Sequence, residues 1–226
     1  MERHFERELD ELRGNLVKIG SLVDGQLDAA CRALFGSDIA LASSVINGDA
    51  DVNEFDNRIQ KQCQRIFALT QPVAVDLRLL MAALNISREL ERIGDIAVNI
   101  AERVSPLAEY REFVRSTRLE EMAQIAQIMV RDSLDSFINY YPPLATRVLE
   151  SDDVVDSLNR NIFYRMVREM QAHRELIEPA SHILILSRHL ERLADHATNV
   201  AEDVIFLVEA KIVKHEGPPQ EQQSLS

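Results

Sequence analysis

The segment Arg88-Glu-Leu-Glu-Arg-Ile-Gly-Asp95-Ile-Ala-Val-Asn99-Ile-Ala-Glu102 returns one hundred residues later as Arg188-His-Leu-Glu-Arg-Leu-Ala-Asp195-His-Ala-Thr-Asn199-Val-Ala-Glu202. A second match lies upstream, where Asp49-x3-Asn53-x2-Asp56-x2-Ile59 parallels Asp152-x3-Asp156-x2-Asn159-x2-Ile162. Leu and Ala recur by chance in amphipathic helices. Glu, Asp and Asn held in one register do not. The chain is therefore a duplication, and whatever the first half folds into the second must repeat.

The punctuation identifies the repeated unit. Among 226 residues there are only 7 Gly and 7 Pro, too few turn residues for a sandwich or barrel that reverses every 8–12 residues or so. The prolines stand at Pro72, Pro106, Pro142, Pro143, Pro179, Pro218 and Pro219. Proline starts a helix or ends the one before it, because it lacks a backbone donor and clashes with the preceding turn. The intervals predict six long helices, near 4–35, 49–70, 72–104, 116–141, 152–173 and 179–214, with short helical links at Asp38–Ile46 and Pro143–Leu149. Leu90, Ile93, Ala97, Ile100 and Val104 supply the 3,4-spaced stripe of a buried helix face. Thr117-Arg-Leu-Glu120 reads as a capping box. The expected architecture is all-α: two repeated three-helix bundles, spanning residues 1–110 and 111–214, with a flexible tail at 215–226.

Charge narrows the function classes. With 25 basic and 37 acidic residues the net charge is −12, which repels phosphate backbones and argues against nucleic acid as a partner. The longest stretch free of Asp, Glu, Lys and Arg is the 11 residues Ser136–Thr146, short of the roughly 18 a membrane span needs. Met1-Glu2-Arg3-His4 opens no apolar signal region. A cytoplasmic chain is expected, with Cys31 and Cys63 as reduced thiols in the core.

One constellation could carry chemistry. At about 100° per residue, and with Glu91 at zero, Asp95 falls near 40°, Asn99 near 80° and Glu102 near 20°. The apolar stripe lies at about 180–260° on the same count. Oxygen-bearing side chains thus form their own stripe off the core, and Glu191, Asp195, Asn199 and Glu202 repeat it. A tight turn near Gln71 would set Asp49 and Asn53 beside Glu91 and Asp95. A turn near residue 176 would set Asp152 and Asp156 beside Asn199 and His196. Carboxylate and amide oxygens without thiolate suit hard cations. The competing reading is a solvated charged face, with Glu91 and Glu191 paired to Arg88 and Arg188 at i,i+3 and with Asp49 and Asp152 answering a helix dipole.

Other chemistry is not legible. No histidine follows a Glu by three, as di-iron bundles require. His182, His189 and His196 are seven residues apart, about 10.5 Å along a helix, too far to share an ion, and are expected at the core edge; His189 is the candidate if a phosphotransfer histidine exists. No two glycines lie closer than five residues, so there is no phosphate loop. No organic cofactor and no nucleophile–base pair is expected.

The double motif Leu-Glu-Arg-Ile-Gly-Asp95-x3-Asn99 and Leu-Glu-Arg-Leu-Ala-Asp195-His196-x2-Asn199, with Asp76-Leu77-Arg78 after Pro72, resembles the PhoU family across nearly the whole chain to residue 214. One departure is Ala194 where the first half has Gly94, small for small. The resemblance implies a cytoplasmic regulator of phosphate uptake. It would act with the phosphate ABC transporter and the sensor histidine kinase of the phosphate-starvation response, repressing that response when phosphate is plentiful. A homo-oligomer, taken as a dimer, is expected. Some family members bind iron or zinc clusters at such motifs, which here would be Glu91, Asp95, Glu191 and Asp195; iron, zinc, manganese and magnesium are the candidate ions. The alternative class is a metal-dependent enzyme acting on a phosphorylated substrate through the same carboxylates.

Overall fold

A computed structural model describes residues 2–213 and, for residues 2–4 and Asp49, the backbone alone. Nine α-helices follow in order among these residues. They are α1 (Glu2–Gly36), α2 (Ile39–Asn47), α3 (Asp49–Leu69), α4 (Ala74–Glu102), α5 (Val104–Leu107), α6 (Arg111–Ser116), α7 (Leu119–Ile138), α8 (Pro142–Ala172) and α9 (Ile177–Glu209). The expected tail at 215–226 lies outside the described residues. No described helix is long and apolar enough to cross a membrane.

The two halves are three-helix bundles, as the duplication requires. In the first, α1, α3 and α4 pack together with α2 across α1 and α4; in the second, α7, α8 and α9 do the same. Helices α5 and α6 and the 3₁₀ turn Ala108–Tyr110 join them. The expected apolar stripe is the core face of α4: Leu90, Ile93, Ala97 and Ile100 are fully buried, and so are Leu190, Leu193, Ala197 and Val200 on α9. Burial of these side chains, rather than helix propensity, holds helices of this length in place. Cys31 and Cys63 are buried free thiols, and burial pushes each up to about 12, so both stay protonated and inert.

The copies differ at one break. Asp38 caps α2 by accepting from the Leu41 N–H at 2.9 Å, and Gly48 separates α2 from α3. The corresponding second-half link was expected at Pro143–Leu149, but α8 runs through it without interruption. Pro142 and Pro143 occupy the first turn, where the missing donor costs nothing. Ser151, the counterpart of Gly48, continues the helix because no Gly or Pro follows until Pro179. The capping box also resolves differently. The Thr117 hydroxyl oxygen accepts from the Leu119 N–H at 3.2 Å, one residue short of Glu120, so α7 begins at Leu119.

The bundles meet along α4 and α9, which run antiparallel to each other. The polar pairs Asn85–Asp203, Glu89–Asn199 and Arg103–His182 fix the register. Its midpoint lies at Ile93–Gly94 on α4 and Leu193–Ala194 on α9, the same positions of the two repeats, so a pseudo-twofold axis passes there. A second tie joins α7 to α1, where Arg131 donates to Asp24 at 2.7 Å.

Candidate functional site

The first-half stripe forms on α4 as expected. Val52 on α3 faces Gly94, where an added Cβ would stand 3.3 Å from the Val52 Cγ1; only a small residue lets α3 come this near. That contact brings the start of α3 against α4 beside the stripe. Asp49 opens α3, but its side chain is outside the described residues. Glu91 and Asp95 each lie 3.5 Å from the guanidinium of Arg92, not of Arg88. Glu102 is exposed and Asn99 half-buried. The neighbouring acid Asp56 is buried and satisfied, accepting from Ser87 Oγ at 2.7 Å and Gln60 Nε2 at 2.6 Å.

The second-half stripe is met by two acids of α8, Asp152 and Asp156. Glu191 pairs with Arg188 as the i,i+3 expectation had it, yet its side chain is only 14 % exposed and its Oε2 is buried without a hydrogen-bond partner. Burial first, then the Asp195 charge, raises the Glu191 pKa; Asp156 and Asp152 add to the effect and Arg188 opposes it. Asp195 is raised as well, by burial and then by Asp156, against His196, Arg188 and Arg192. Asp152 is buried, and Asp156 reaches Arg160 at 3.9 Å.

This corrects the expected neighbours. Asp156 stands against Glu191 and Asp195 where His196 was expected, and Asp152 acts on Glu191, while the side chains of His196 and Asn199 turn to Glu89. The reversal between α8 and α9 is centred near residue 174, ahead of the assumed 176, because α8 ends at Ala172 and a 3₁₀ turn Arg174–Leu176 leads directly into α9. Two residues of turn displace the antiparallel partner by about four, one helical turn.

Asn199 faces elsewhere. With His196 it turns to the first half: His196 Nδ1 lies 2.7 Å from Glu89 Oε2, and Asn199 donates to the same oxygen at 3.0 Å. Burial alone would raise the Glu89 pKa, but these two hydrogen bonds and the charges of His196 and Arg88 bring it below the usual carboxylate value. Farther along, Asn85 donates to Asp203 at 3.1 Å, and burial carries Asp203 up to about 6 despite that bond, with Glu89 and Glu202 adding to the rise. The three half-buried histidines all belong to this seam. His182 sits 3.4 Å from Arg103, and His189 is held below its usual pKa by burial and by Arg192 and Arg103. Glu89→Ala should cost about 1–3 kcal/mol, because the half-buried His196 and the exposed Asn199 lose their shared acceptor, whereas Glu89→Gln should retain most of it. Denaturant midpoints of the two variants test this. The Glu89 carboxylate is favoured in the folded state, so its contribution should be intact at pH 7. It should be lost as the pH falls below about 4.5, the ordinary glutamate value.

Among the described residues, no group of three or more His, Cys, Asp or Glu side chains is arranged to hold an ion as it stands; the stripe carboxylates engage Arg92, Arg188 and Arg160 instead. The donor set nevertheless fits a hard cation in the second half, where four acidic side chains crowd together and one buried carboxylate oxygen is orphaned.

Comparison with known proteins places the whole arrangement. The PhoU domain family model matches twice, at residues 16–104 and 119–204. A phosphate-specific transport system accessory protein PhoU homolog of Aquifex aeolicus is 40% identical over 210 residues, 93% of this chain and 95% of the relative. The protein of the same description from Pseudomonas putida is 35% identical over 218 residues, 96% and 85% of the two chains. The crystal structure of PhoU from Pseudomonas aeruginosa matches with a TM-score of 0.87 and 34% identity, covering 92% of this chain and 100% of that one. The phosphate transport system regulatory protein PhoU from Streptococcus pneumoniae matches at 0.84 and 28%, covering 93% and 99%. Two matched repeats, shared architecture and near-complete mutual coverage make this chain a member of the PhoU family.

Proposed function

We propose that this chain is an accessory regulator of phosphate transport, a cytoplasmic non-enzyme that restrains the phosphate-starvation response. It would do so by contacting a subunit of the phosphate ABC transporter and the response's sensor histidine kinase, as a homodimer. The observation that carries the reading is the double match of one domain over both halves, with the acidic signature intact on α4 and on α9. A net charge of −12 further favours protein partners over nucleic acid.

Cation binding is part of the same proposal. Glu191, Asp195 and Asp152, joined by Asp156, would hold an ion in the second half, and Glu91, Asp95 and Asp49 in the first. Asn99, Glu102 and Glu202 flank these sets, whereas Asn199 is spent on Glu89 across the seam. Release of Glu191 from Arg188 and of Asp156 from Arg160 would free their carboxylates for it. A bound cation supplies charge that cancels the repulsion among the acids.

The experiment is removal of the chain from its host, with a starvation-response reporter read in phosphate-rich medium. The reporter should switch on without the chain and fall silent when it is restored. A reporter that stays silent in its absence refutes the regulatory reading.

A further inference from the structure

A groove of about 510 Å³ runs between α8 and α9 on the side toward their connecting turn. Its apolar wall is formed by Phe163, Tyr164 and Ile185, and its cations are Arg160, Arg188 and Arg192. Phe163 is 50 % exposed, Tyr164 65 % and Ile185 38 %. The two rings meet edge to face, with centroids 5.6 Å apart. Exposed aromatics beside arginine are the residue types that dominate binding energy at protein interfaces.

The duplication supplies a control within the same chain. Arg88 and Arg92 stand where Arg188 and Arg192 do, so these cations belong to the common template. The other positions depart from it: Arg160, Phe163, Tyr164 and Ile185 replace Asn57, Gln60, Lys61 and Asn85. In the first half that face is polar, and Asn85 is consumed by its bond to Asp203. The second half has exchanged polar groups for exposed apolar ones and has moved a cation from the position of Lys61 to that of Arg160, nearer Arg188 and Arg192 on the groove. Neither change strengthens the core, since all four side chains are exposed.

We propose that this α8–α9 groove is a docking site for an acidic amphipathic segment of a partner protein, its apolar face set against Phe163, Tyr164 and Ile185 and its carboxylates on Arg160, Arg188 and Arg192. Charge complementarity selects that occupant. On a chain of net charge −12, three guanidinium groups on one groove form a local attraction for an acidic ligand that the rest of the surface repels. Two antiparallel helices with an apolar furrow between them are the receptor form that a third, amphipathic helix fits. Arg188 and Arg160 already touch Glu191 and Asp156, but these are pairs on exposed guanidinium groups that a second carboxylate can join.

The inference rests on the reading that the chain works by contacting partner proteins, and the test separates the two. The probe is a fluorescein-labelled peptide with leucines at helical spacing on one face and glutamates on the other, titrated with the full chain at low salt. The comparison variants are Phe163→Ser and the double variant Arg160→Glu, Arg192→Glu, all at exposed positions, with circular dichroism confirming the fold. The wild-type chain should bind the peptide, and each variant should bind roughly tenfold more weakly or worse. A peptide with lysine in place of glutamate would adhere to the acidic surface generally, and its binding should not respond to Phe163→Ser. Equal binding of the acidic peptide to wild type and variants overturns the proposal. So does binding only of inorganic phosphate, which would make the groove a small-anion site. The transporter's nucleotide-binding subunit and the kinase's cytoplasmic part are assayed in parallel. If they bind wild type and variants alike, the groove is refuted and the regulatory reading stands. If neither binds the wild type while the peptide does so through the groove, the regulatory reading fails and the groove stands.

Discussion

Leu193→Ala should lower the stability of this chain by about 3 kcal/mol, within the range of roughly 2–5 for a buried leucine truncated to alanine. Leu193 is fully buried, and it lies at the midpoint of the α4–α9 register, where neither bundle can close the resulting void without shifting against the other. For a chain of this size each kcal/mol moves the melting midpoint by about 2–4 °C, so a drop of about 6–12 °C is expected by calorimetry. Arg192→Ala, the adjacent exposed position, should stay within about 0.5 kcal/mol. Equal effects at the two positions would mean that residue 193 does not face the core, and the assigned packing of α9 would be wrong.

The same helical wheel explains which parts of the molecule could be read without a structure. Six helices, their ends to within a few residues except the start of α8 and the end of α9, and the buried stripe at about 180–260° follow from local periodicity and from where proline can stand. The acidic stripe follows from the same arithmetic, and arginine partners are indeed present on it. The seam between the halves does not. Asn85, Glu89, His196 and Asp203 fall at about 120–160° on that wheel, between the acidic stripe and the core, where a side chain is assigned neither to water nor to the interior until a second bundle arrives. One signal was available, however. Within the duplicated signature, Glu89 faces His189 and Ile96 faces His196 in the alignment of the copies. These mismatches mark positions that the two halves use differently, and both fall on the seam. The second-half register was missed for a more local reason: two residues of turn length, invisible to periodicity, move the antiparallel partner by a full helical turn. The uninterrupted α8 was missed because Gly48 has no glycine counterpart in the second half.

The wild-type chain should melt at a higher temperature with Mn²⁺ or Fe³⁺ than without, and Asp195→Asn should abolish most of the difference. Glu191 and Asp195 both titrate above their ordinary values because partial loss of solvent and the neighbouring acids disfavour their charge. The folded state therefore takes up protons before the unfolded state does, so the ion-free protein should gain stability as the pH falls from 7 through those raised values. A cation at pH 7 would relieve the same repulsion without the protons. At a hundredfold excess over its dissociation constant it would add about 2.7 kcal/mol, or about 5–10 °C for a chain of this size. Asp195→Asn removes one of the repelling charges and one ligand together. It should therefore melt slightly above the ion-free wild type at pH 7 and gain little from the ion. Acidification should erase the difference between loaded and empty wild type, because protons then compete for the same oxygens. If no ion among Mn²⁺, Fe³⁺, Zn²⁺ and Mg²⁺ raises the wild-type midpoint more than that of Asp195→Asn, these carboxylates are a strained charged face and not a cation site.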